Sequence, residues 1–146
     1  MEKNIDKQGR YATLKGKLKK ALAGEFWLEA CMIEYAMIED RTSSILCYSK
    51  VCKDPYSASK KLANKLASIE LQIGKKHPII SLKVNKKTIE DIRQWKDMRN
   101  DFVHRSCVLY DEETAKHIAL EGKRLVDIID NESAKVSRLA KKMERG

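Results

Sequence analysis

Apolar residues recur along this chain at intervals of three and four far more often than two, the spacing of helices that bury one face. The pattern predicts an all-α fold, a bundle of about five helices. A first helix is expected over residues 11–23, "YATLKGKLKKALA", with Lys15, Lys17, Lys19 and Lys20 as a basic outer surface and Gly24 separating it from the next. The second, residues 25–48, carries a stripe of Trp27, Cys31, Ile38, Thr42 and Ile45. Met32, Ile33, Ala36 and Met37 add apolar surface on its other sides, which suits a helix sandwiched between neighbours. Pro55 disfavours helix at Asp54 and the serines after it suit capping, so a third helix is expected over 58–73.

"GKKHPIISLKVNKKT" reads as a loop, with Thr88 as cap of a fourth helix through Ile89, Ile92, Trp95, Met98, Phe102 and Val103 that ends near His104. A long fifth helix begins near Glu112 and carries Ile118, Leu125, Ile128 and Ile129. It passes into a basic tail, 135–146, that is either frayed or helical, and residues 1–9 are expected to fray. The length of 146 residues suits one domain, 1–146, with a core that needs neither disulfide nor metal.

Charge narrows the partners. With 30 Lys and Arg against 21 Asp and Glu, the net charge is +9, which favours a polyanion, nucleic acid before others. Cys31, Cys47, Cys52 and Cys107 form no CxxC pair and have no histidine at zinc-finger spacing, so they read as buried free thiols and no metal or cofactor is expected. No apolar core follows "MEKNIDKQGR", which argues against a signal peptide and for a reducing cytoplasm. The most apolar stretch, 26–46, holds Glu29, Glu34, Glu39, Asp40 and Arg41, too much charge to span a membrane.

One residue is out of place in the fourth helix. At about 100° per residue, Arg99 falls within the stripe of Ile92, Trp95, Met98, Phe102 and Val103. A guanidinium there needs a carboxylate, an anionic ligand or a solvated cleft, because burying it unpaired costs several kcal/mol. Glu34 and Glu39 flank the stripe of the second helix on opposite sides, and the sequence does not choose between them. His104 lies about 140° further round the helix than Arg99, whereas Asn100 and His104 share a face. For Arg99 and His104 to converge, either the helix distorts near its end or two such helices face each other across a symmetric interface.

"RNDFVH", residues 99–104, resembles the Arg, four to six residues, His signature of the HEPN superfamily, in which a polar residue commonly follows the arginine. The resemblance maps the arginine to Arg99, the follower to Asn100 and the histidine to His104. It implies an all-α fold and metal-independent RNA cleavage, usually by a homodimer that pairs two motifs in one cleft. It also implies a toxin or phage-defence role, with an antitoxin or other regulatory protein as a partner. Many short HEPN toxins have a tyrosine two positions beyond the histidine; here that position is Ser106, with Tyr110 further on. The chemistry is consistent with the residues themselves. RNA supplies its own 2′-OH nucleophile, so cleavage needs a base, an acid and positive charge on the phosphorane, which histidine and arginine provide. The alternative is a noncatalytic helical module that binds RNA, a nucleotide or a protein through the same residues.

Overall fold

The computed structural model describes residues 2–52 and 61–146, with side chains from residue 9 onward. The fold is all-α: α1 (Glu2–Ala23), α2 (Trp27–Tyr48), α3 (Leu62–Gly74), α4 (Ile80–Lys83), α5 (Lys86–Arg105) and α6 (Glu112–Arg145). No helix among the described residues is long and apolar enough to cross a membrane. The chain divides into two units, one of residues 1–37 and 95–123, the other of 38–94 and 124–146. The first buries Leu18, Ala30, Cys31, Trp95, Ile118 and Ala119; the second buries Ile45, Leu66, Ile69, Ile92, Leu125 and Ile129. The whole stripe expected on α2, Trp27 through Ile45, is buried, but Met32 and Ala36 are exposed, so α2 is not covered all round. Of the four thiols expected to be buried, Cys31 is, whereas Cys47 and Cys52 are half-buried and Cys107 is exposed.

Several boundaries differ from the sequence pattern. α1 starts at Glu2 rather than near Tyr11; its first turns hold Glu, Lys and Gln, which favour helix without needing an apolar face. The basic tail is helical to Arg145 because Val136 and Ala140, buried at the two ends of an i,i+4 pair, continue the apolar stripe. The expected start of the third helix at Ala58 and the break at Pro55 lie outside the described residues.

α2 begins two residues later than expected because the turn after α1 consumes Glu25 and Phe26. Glu25 adopts a left-handed conformation, φ 59°. Phe26 N donates to Ala21 O at 2.8 Å and Glu25 N to Leu22 O at 3.2 Å, the paired closure that ends helices when one residue turns left-handed. Lys50 and Lys76 close α2 and α3 in the same way. Glycine usually fills this position, so its signal was missing from the sequence at all three ends.

Two further departures come from side chains acting as caps. Within the expected loop, His77 Nδ1 accepts the N–H groups of Ile79 (3.1 Å) and Ile80 (3.3 Å), which starts α4 and gives His77 a structural task. Thr88 is not the cap of α5. Asn85 Oδ1 accepts the Lys87 N–H at 2.9 Å, and Thr88 Oγ1 instead donates to Glu132 Oε2 at 2.7 Å. Glu132 Oε1 also takes the Asn85 N–H at 2.8 Å, so one buried carboxylate of α6 holds the start of α5.

Candidate functional site

The first unit carries the motif on the last turns of α5, where Trp95 anchors the helix. Trp95 is buried and its Nε1 donates to Ile118 O at 2.9 Å. Tyr35 of α2 packs near it, ring centroids 6.4 Å apart. On Tyr35 lies Arg99, its Cζ 4.4 Å from the ring centroid, inside the range in which an aromatic face attracts a cation. The guanidinium donates from Nη1 to Asn100 Oδ1 at 2.8 Å and from Nη2 to Met32 Sδ at 3.2 Å.

Arg99 is therefore held without a carboxylate: among the described residues it forms no ion pair. Its Nε is buried and has no acceptor, a local cost of about 1–3 kcal/mol. The sequence placed Arg99 correctly on the inner side of its helix, but its neutral partners Tyr35 and Met32 were missed. Their only signal was position on α2 beside Glu34, which identifies a contact only once the register of α2 against α5 is known.

Glu34, one of the two carboxylates expected beside Arg99, takes another place. It is fully buried and neither of its oxygens has a hydrogen-bond partner. It packs instead on Gly122 of α6, where an added Cβ would also come within 2.7 Å of Trp95 Cζ2. Burial, offset in part by Lys123, pushes the Glu34 carboxyl up to about 9. It is a neutral acid at pH 7. The same shielding raises the Cys31 thiol to about 11 against the opposing pull of Arg99, and Cys31 Sγ donates to Leu28 O. Glu39, the other expected carboxylate, lies half-buried in the second unit, where its carbonyl accepts from Thr42 Oγ1.

His104 is exposed in the last turn of α5. The helix runs unbroken through Arg105, so His104 keeps its offset of about 140° from Arg99. Of the two ways for the pair to meet, distortion of the helix end does not occur. Asn100 is half-buried and engaged with Arg99, and His117 is exposed on α6. Among the described residues, no group of three or more His, Cys, Asp or Glu could hold a metal ion.

The fold and site together describe an all-α protein with an arginine held on an aromatic face and a solvent-facing histidine five residues further along the same helix. No protein-family model, curated protein or solved structure matches the chain.

Proposed function

We propose that this protein is a metal-independent endoribonuclease of HEPN type, acting in the cytoplasm as a homodimer, in the role of a toxin or phage-defence effector under the control of an antitoxin or other regulatory protein. The observation that carries this reading is the guanidinium of Arg99, left without a carboxylate and braced by Tyr35, Met32 and Asn100. A cation oriented by neutral groups retains its attraction for a phosphate oxygen, and planar guanidinium suits that oxygen pair. His104, open to solvent, takes the 2′-OH proton or protonates the departing 5′-oxygen; the 2′-oxygen attacks phosphorus, the P–O5′ bond breaks, and a 2′,3′-cyclic phosphate and a 5′-OH remain. Arg99 stabilises the charge that develops on the phosphorane.

Purified protein should cleave mixed RNA in the presence of a chelator and leave 2′,3′-cyclic ends. Arg99→Ala and His104→Ala should each lose about 10²–10⁴-fold in rate with an unchanged circular-dichroism spectrum. RNA bound but never cut would point instead to a noncatalytic module, and undiminished cleavage by either variant would remove that residue from the mechanism.

The unbroken helix, which keeps Arg99 and His104 of one chain apart, supports a site shared between two chains. If two motifs build one cleft, inactive Arg99→Ala/His104→Ala chains mixed with wild type should depress activity as the square of the wild-type fraction, once subunit exchange is confirmed by mass. A linear decline would mean that each chain is sufficient alone.

A further inference from the structure

The turn between α1 and α2, with the start of α6 and the residues before it, lines an open groove of mixed apolar and acidic character. Phe26, Leu28 and Tyr110 line it together with Glu25, Glu29 and Glu112, and the three acidic residues are exposed. Phe26 is 62% exposed and Tyr110 44%, large apolar surfaces left in water where a soluble protein usually presents such area for contact. The turn holds Phe26 in this posture. Its ring lies against Gly24, where an added Cβ would come within 2.6 Å of Phe26 Cε2, while its backbone N–H is tied to Ala21 O.

The local charge is opposite to that of the whole molecule. On a chain of net charge +9, this groove offers three exposed carboxylates, with Asp111 and Glu113 adjacent in sequence. The chain already satisfies one of its aromatics with a cation: Lys116 Nζ lies 6.0 Å from the centroid of Trp27, which also lines the groove. Nucleic acid would be repelled here. A symmetric pairing of two copies through the groove would set like charges together. A segment with lysine or arginine beside an apolar anchor fits both the apolar and the acidic lining, since arginine stacks on aromatic faces and pairs with carboxylates.

We propose that this groove of aromatic and acidic residues is the docking site for a basic, apolar-anchored segment of a partner protein. The assignment stands whether or not the chain is a ribonuclease.

The experiment is panning of a displayed random-peptide library on the full-length protein, with the Glu29→Lys/Glu112→Lys variant as counter-selector. Selected peptides should be rich in Lys and Arg around an aromatic or leucine. They should lose at least about tenfold in affinity on the charge-reversed variant and on Phe26→Ala, and weaken as salt rises. All three substituted side chains are exposed, and circular dichroism confirms that the variants fold. Enrichment of acidic or neutral peptides, no enrichment, or equal binding to both variants would overturn the proposal. Loss of self-association in the charge-reversed variant without peptide selection would assign the surface to a second copy, and loss of RNA binding would assign it to nucleic acid; either also overturns it.

Discussion

Replacing Glu34 by glutamine is expected to change stability by under about 1 kcal/mol at pH 5 and to raise it by about 3 kcal/mol at pH 7. The wild-type carboxyl is fully buried, has no partner, and is pushed from an ordinary 4.5 to about 9 in the folded protein. Between those two values the folded chain holds a proton that the unfolded chain has released. The stability contributed by the neutral acid is therefore complete below pH 4.5 and is lost as pH rises towards 9, at roughly 1.4 kcal/mol per pH unit. Glutamine keeps the shape and never ionises. For a chain of this length the gain at pH 7 amounts to about 6–12 °C in melting temperature. Thermal melts of both proteins from pH 5 to pH 8 measure it directly, and a difference that stays flat across that range would show that Glu34 is ionised or solvated in the fold.

Gly122→Ala should destabilise, against the usual rule. Alanine in a helix interior ordinarily gains about 1 kcal/mol over glycine. Here the new methyl would meet the Glu34 carboxyl and come within 2.7 Å of both Glu34 Cδ and Trp95 Cζ2. The carboxyl end can yield, but the indole cannot easily, being buried and tied to Ile118 O. Overpacking of this kind costs about 1–3 kcal/mol. Trp95 neighbours Tyr35, on which Arg99 lies, so displacement of the indole reaches the arginine. Chemical denaturation of Gly122→Ala, Glu34→Ala and the double variant should show a smaller Gly122→Ala penalty once the carboxyl is gone. A stabilised Gly122→Ala protein would mean that α6 and Trp95 are not in this close approach.

The origin of both effects marks how far the candidate site could be read from residue order. Arg99 was legible because helical periodicity alone puts it among Ile92, Trp95 and Phe102, and a cation there stands out. Glu34 was legible as a carboxylate on the facing side of α2, but its fate was not. Whether it meets Arg99 or Gly122 depends on the rotation and sliding of α2 against α5 and α6, and a shift of one residue turns a side chain by about 100°. A lone glycine within a helical pattern signals a close approach without naming what approaches.

Residue order by itself determined the all-α class, the face that each long helix buries and the place of Arg99, Asn100 and His104 on one helix, because these follow from a local period of 3.6 residues. Only the tertiary structure decided that Glu25, Lys50 and Lys76 turn left-handed, that Asn85 rather than Thr88 caps α5, that Arg99 rests on Tyr35 and that Glu34 is sealed against Gly122. The left-handed ends close by local hydrogen bonds that no glycine marks in the sequence. The diversion of Thr88 to Glu132, the seat of Arg99 on Tyr35 and the sealing of Glu34 against Gly122 are instead contacts between segments far apart in sequence, which no local period encodes.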